Sequence, residues 1–210
     1  MPQLLDKSIE ILSVKHLRGP NMWTYHPVIE VWLDIGDLED YPSNLIPGFY
    51  ARLVKALPSL VEHRCSYGET GGFLKRVEEG TWPAHILEHL TLELQNLAGI
   101  PGGFGKARDG DRRGVYKVMV SAINEEVTLT ALKYARDLYL ALAQDNKDCV
   151  AEVQHIIENL RDLGDDLLLG PSTACIVNAA EERGIPSIRL SEGNLVQLGY
   201  GAKQRRIWTA

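Results

Sequence analysis

One segment constrains the fold more than any other. Over residues 82–98, Ile86, Leu90, Leu94 and Leu97 recur at the spacing that lines up one face of an α-helix. Thr81 stands at the N-cap position, Pro83 suits the first turn, and Gly99 followed by Pro101 supplies the stop. The pattern predicts a helix over 82–98. The same segment contains His85-Ile-Leu-Glu88-His89, so the best-defined element also carries a group of reactive side chains.

The surrounding pattern is that of an α+β fold. Residues 8–15 and 28–35 (VIEVWLDI) read as strands, separated over 16–27 by an irregular loop containing LRGPNMW that is longer than a hairpin needs. Leu45, Phe49, Leu53 and Leu57 predict a helix over 44–57, with Pro47 in its first turn. A turn-rich stretch, HRCSYGETGG, covers 63–72. Beyond residue 98, the glycines between Gly99 and Gly110 read as a loop, 115–123 as a buried strand and 125–143 as a long helix.

These elements predict an N-terminal mixed α/β domain over 1–145, a linking helix within 146–164 and a tail over 165–210. In the tail, 167–169 and 187–190 read as strands on either side of a helix over 172–183. This is a βαβ-like opening, to which NLVQLGYGAKQRRIWTA would add one or two strands. About 45 residues make a marginal core, so the tail reads as the beginning of a second domain.

Composition excludes several classes. With 45% hydrophobic and 24% charged residues the chain is not wholly disordered. Its 22 Lys+Arg against 28 Asp+Glu give a net charge of −6, which provides no basic field for nucleic acid and mildly favours a cationic partner. No apolar run approaches the ~18–20 residues of a membrane span, and the first residues lack a signal-peptide pattern. Cys65, Cys149 and Cys175, odd in number and widely spaced, read as reduced thiols. The expected setting is therefore cytoplasmic, with no membrane and no nucleic acid.

The H-x-x-E-H motif carries the chemistry. Residues four apart occupy neighbouring turns of one helix face, so His85 and His89 can reach one ion. Glu88 lies close to that face and can take a proton from a metal-activated water without being a ligand. This is the inverted order of the zincin motif, and two imidazoles, a carboxylate and an open position suit catalytic Zn²⁺. A third ligand must come from elsewhere. Glu125, seven residues before Leu132, projects toward the buried face of its helix, whereas Glu126 aligns with the exposed side, which favours Glu125. Glu93 is a weaker choice on the same helix, and His63, Cys65 and Glu69 form a second possible cluster. Zinc held structurally by four protein ligands is a further possibility.

Other motifs fail on their own terms. IPGGFGKA lacks the first Gly and the final Ser/Thr of a phosphate loop. GPSTA ends in Ala, and no histidine follows residue 155 to complete a Ser-Asp-His order. Ser172 and Thr173 read as helix N-cap residues.

LRGPNMW, HRCSYGETGGF, GTWPAHILEHLTLELQNLAG, FGKAR, LGPSTACIVNAAEERGIPSIRL and LVQLGYGAKQRR resemble the amino-terminal part of the cyanophycin synthetase family over nearly the whole chain. FGKAR carries Ala107 where the family more usually has Thr. The resemblance implies an N-terminal domain, here metallopeptidase-like, followed by the start of an ATP-grasp domain. It also implies that ATP and Mg²⁺ serve only in portions beyond this chain, so ligase activity is not expected from these residues alone. The implied partner is the polymer of that family, multi-L-arginyl-poly-L-aspartate (cyanophycin), made from Asp and Arg with ATP. Cleaving its poly-Asp backbone creates primers. His85, Glu88 and His89 match the family's hydrolase motif. Arg108, Arg112 or Arg113 is expected to hold polymer carboxylates, Arg108 and Arg113 foremost. The rival expectation is a noncatalytic polymer-docking or assembly domain, with any homo-oligomer formed through a full synthetase.

Overall fold

A central strand, β2 (Val28–Asp34), organises the N-terminal part of the computed structural model, which describes residues 8–144 and 149–209. It pairs antiparallel with β1 (Glu10–Leu17) on one side and β4 (Val115–Ser121) on the other. β3 (Gly105–Asp109) joins β4 to complete the order β1-β2-β4-β3. Side chains alternate across a strand, so Ile29, Val31 and Leu33 fall together on one face and are fully buried. The opposite face carries Glu30, which accepts hydrogen bonds from the Trp23 and Trp32 indoles at 2.8 and 3.3 Å, and Trp32, over which Lys117 lies at 4.5 Å.

The helices of this unit are α1 (Phe49–Ala56), α2 (Gly72–Glu79), α3 (Pro83–Leu97), α4 (Glu125–Gln144) and α5 (Cys149–Leu167). α3 packs against α4 and against β3 and β4, which places it in the middle of the core. The helix predicted over 44–57 is broken in two. A 3-10 turn at Ser43–Leu45 ends before Pro47, and α1 starts after Gly48, because proline cannot supply the N–H that a continuous helix would need there. Phe49 and Tyr139 then meet with their rings tilted, centroids 5.3 Å apart, and bind α1 to α4.

The chain divides into two compact units after Asp162, so the division falls inside α5. The boundary expected at 145/146 lies outside the described residues. The second unit differs from the predicted βαβ pattern. Leu167 is the last residue of α5, and no strand forms over 167–169. The unit instead contains α6 (Pro171–Glu181) followed by β5 (Ser187–Arg189), β6 (Leu195–Leu198) and β7 (Arg205–Trp208) in an antiparallel meander. A run as short as Leu167–Leu169 satisfies a helix end as well as a strand, and the continuing apolar spacing of α5 decides the outcome. Gly170, with Pro171 at the first helical position, caps α6 in place of Ser172 or Thr173. Among the described residues, no helix is long and apolar enough to cross a membrane.

Candidate metal centre

α3 brings His85, Glu88 and His89 to one side of a helix that is buried over most of its surface, not along a single stripe. Trp82, in an extended conformation, is the N-cap. Thr81 serves differently from the expected cap: it is buried, and its hydroxyl lies 2.9 Å from His85 Nδ1. That contact fixes the ring so that Nε2 faces the site.

The third donor comes from the turn that precedes α2. Cys65 Sγ is 3.2 Å from His85 Nε2, and the ligand atoms of Cys65, His85 and His89 all lie within 4.8 Å of one another. Such a group of one thiol and two imidazoles can hold a metal ion. Cys65 adopts φ +52°, a left-handed conformation that costs a non-glycine residue on the order of 1 kcal/mol and needs support from its surroundings. Support comes from Gly72. A Cβ there would stand 2.0 Å from the Arg64 carbonyl oxygen, so only glycine lets the start of α2 close against the turn.

Behind the three donors is a second layer. His63 Nδ1 lies 2.8 Å from His89 Nδ1, while His63 Nε2 lies 2.8 Å from Glu93. Glu93 also accepts a hydrogen bond from the Ser59 hydroxyl. Burial raises the Glu93 carboxyl, but the bonds from His63 and Ser59 outweigh it and hold the group below its ordinary value. Phe73 stacks on the His89 ring at 4.0 Å and meets His85 edge-on at 5.9 Å. Burial pushes His85 down to about 4, assisted by the Arg76 charge, and His89 down to about 2, assisted by His85 and His63. Both rings are thus held neutral, the state that ligates metals.

Glu88 sits beside this group with its carboxylate 3.9 Å from His89 Nε2. Burial raises it to about 8, against the opposing Arg108 charge and a hydrogen bond from the Ala107 backbone N–H. That N–H is available from any residue but proline. β3 can approach Glu88 only because residue 105 is glycine: a Cβ would lie 2.7 Å from Glu88 Cγ and 2.8 Å from Leu92 Cδ1. The donors and Glu88 open onto a cavity of about 700 Å³, which Lys106 and Arg108 also line.

Other expected site residues have partners of their own. The Glu125 carboxylate is gripped by Arg18 at 2.9 Å and by His16, and Glu125 is not among the Cys65, His85 and His89 donors. Helical spacing alone turns Glu125 toward that face, but His16 on β1 and Arg18 just after it claim the side chain. Arg113 pairs with Asp40, and Arg112 with Asp34 at 2.9 Å, in an adjoining cavity, leaving Arg108 as the expected arginine that lines the cavity of the donors. His63 and Cys65, read as a possible separate cluster, join α3, whereas Glu69 faces Lys75 at 3.9 Å. The local signal for them was HRCSYGETGG, a glycine-punctuated turn carrying a histidine and a thiol two residues apart.

Known proteins are similar to this chain over most of its length. Residues 30–144 match the family model of the cyanophycin synthase-like N-terminal domain. Cyanophycin synthetases of Trichormus variabilis and a Nostoc species are each 47% identical to this chain over 95% of its length, and that of a Synechocystis species is 46% identical over the same share. The chain spans 22–23% of the length of these relatives. It belongs to the family of cyanophycin synthase-like N-terminal domains.

Proposed function

We propose that this chain is a zinc-dependent hydrolase that cuts the poly-Asp backbone of cyanophycin and so generates primers for synthesis. The observation that carries the reading is the convergence of Cys65, His85 and His89 beside a buried Glu88 on one cavity. Three protein donors with a thiolate and two imidazoles leave a position for water or substrate, as catalytic sites do and closed structural sites do not. A bound zinc ion would supply Lewis acidity toward a water and toward the scissile carbonyl.

The chain's own residues perform the rest. Thr81 and His63 hold the two rings with Nε2 toward the cavity. Glu88 takes a proton from the attacking water and passes it to the departing amine. Phe73 and the burial of α3 exclude bulk water from behind the donors. Edge strand β3 suits an extended substrate. The bonds from Ser121 N–H to the Phe104 carbonyl and from Gly110 N–H to the Val115 carbonyl set the ladder phase, so residues 105, 107 and 109 direct backbone groups away from β4. A polymer backbone laid along that edge runs past Glu88. Arg108 is placed to meet its carboxylates, and the net charge of −6 suits its arginine side chains.

On this reading, ATP- and Mg²⁺-dependent polymerisation belongs to the longer relatives, and the second unit corresponds to the start of their ATP-grasp domain. Incubation of the zinc-loaded protein with cyanophycin, followed by measurement of polymer length, tests the proposal. The polymer should shorten with the parent and persist with Glu88→Gln. Equal rates would refute the role of Glu88, and binding without shortening would favour a docking domain.

A further inference from the structure

Resting on the hydrolase reading above, we infer that Arg76 is a specificity-determining residue that binds a substrate carboxylate on the His85 side of the donors, across the cavity from Arg108. The first observation is a local reversal of charge. The chain carries −6 overall, yet Arg64, Arg76, Lys106 and Arg108 all line the cavity of the donors. The carboxylates that line it are Glu88, already assigned to the attacking water, and Asp109. Among the described residues, none of these four cations forms an ion pair. Arg112 and Arg113 in the adjoining cavity are instead held by Asp34 and Asp40. Unpaired like charges gathered around a concave wall raise the local potential and draw an anion.

The cations stand on two walls. Arg64 and Arg76 come from the turn before α2 and from α2 itself, Lys106 and Arg108 from β3. Arg76 acts electrostatically on His85, whereas Arg108 acts on Glu88. The two arginines therefore flank the donors. Arg76 is also oriented without being neutralised. The Tyr67 hydroxyl donates to Glu79, and its oxygen accepts from Arg76. Lys75 lies over the Tyr67 ring at 4.6 Å and helps to fix it. A guanidinium has five N–H donors, so this anchor leaves a fork for a planar acceptor with two oxygens. A carboxylate fits that fork with two parallel bonds, whereas an amide offers one oxygen and no charge. A chain crossing the site is thus read at two points, by Arg76 and by Arg108.

Binding, separated from turnover, tests the inference. Short soluble cyanophycin fragments are compared with the same fragments after their free carboxylates are converted to methylamides, by calorimetry on the metal-free protein. The parent should prefer the carboxylate form. Arg76→Gln should weaken that form about 10–100-fold, the usual size of a hydrogen-bonded contact to a charged group, and leave the methylamide form within about twofold. Arg76→Lys should keep part of the affinity, because the charge persists without the fork. Arg76 is exposed, so these substitutions leave the core intact. Unchanged carboxylate binding in Arg76→Gln would overturn the inference, as would a parent without the preference. An equal loss for both forms would also overturn it, by making Arg76 structural. A parent that binds the carboxylate form selectively but never shortens it when zinc-loaded refutes hydrolysis, while the carboxylate site stands.

Discussion

Two histidine–carboxylate groups in the N-terminal unit use the same residue types and end in opposite states. At the start of α4, Glu125 is partly exposed and receives Arg18 and His16. The Arg18 hydrogen bond leads a set of contacts that hold it down at about 2. On α3, Glu88 is buried beside His85 and His89, forms no ion pair with an arginine or lysine among the described residues, and is raised to about 8. Both carboxylates lie where helical spacing turns them inward. What separates them is which side chains arrive from elsewhere in the fold, and how much water remains. The first group is an exposed tie between α4 and the residues on and after β1. The second is a pocket in which neutral imidazoles and a thiol converge.

Substitutions should widen that contrast. The largest effect is expected from Glu88→Gln, which should lower hydrolysis by about 10²–10⁴-fold, the usual contribution of a general acid–base group, with zinc content unchanged. Glu125→Gln should leave both zinc content and hydrolysis near parental values, as elemental analysis and polymer-length assays would show. Loss of activity there would erase the distinction between the two carboxylates. Next in size, Cys65→Ala should abolish stoichiometric zinc while circular dichroism reports an intact fold.

Gly105→Ala should follow. Its Cβ would have to displace Glu88 and Leu92, so a stability loss of about 1–3 kcal/mol in denaturant titration is expected, together with slower hydrolysis. The smallest effect concerns acid stability. Because the folded pKa of Glu125 lies below its ordinary value of 4.5, its stabilisation is complete above about 4.5 and is lost as pH falls through about 2. The group is exposed to solvent, so the amount is under about 1 kcal/mol. Thermal melts at successive pH values should show a shallower acid decline in Glu125→Gln than in the parent.

The sequence made some of this legible and hid the rest for identifiable reasons. α3 and its H-x-x-E-H face depend on residues three and four apart, so local spacing suffices to read them. Cys65 is 20 residues from His85 and arrives through a left-handed turn that no periodicity announces. Thr81 was legible as a polar residue before a helix, but the same hydroxyl that can cap also reaches His85. β3 was hidden because glycine usually marks a loop, whereas Gly105 is a strand residue thinned to admit Glu88. α2 was hidden likewise behind Gly71 and Gly72. In the second unit the helix and the strand over 187–190 were readable from pattern, but the pairing of three strands into an antiparallel meander is a tertiary choice.

The central claim is that the metal on α3 is completed by the Cys65 thiolate and not by a carboxylate from α4. X-ray absorption at the zinc edge of the metal-loaded protein tests it most directly. The account predicts one sulfur neighbour at about 2.3 Å with two imidazole nitrogens at about 2.0–2.1 Å. A shell of nitrogen and oxygen alone, with no sulfur, would contradict it.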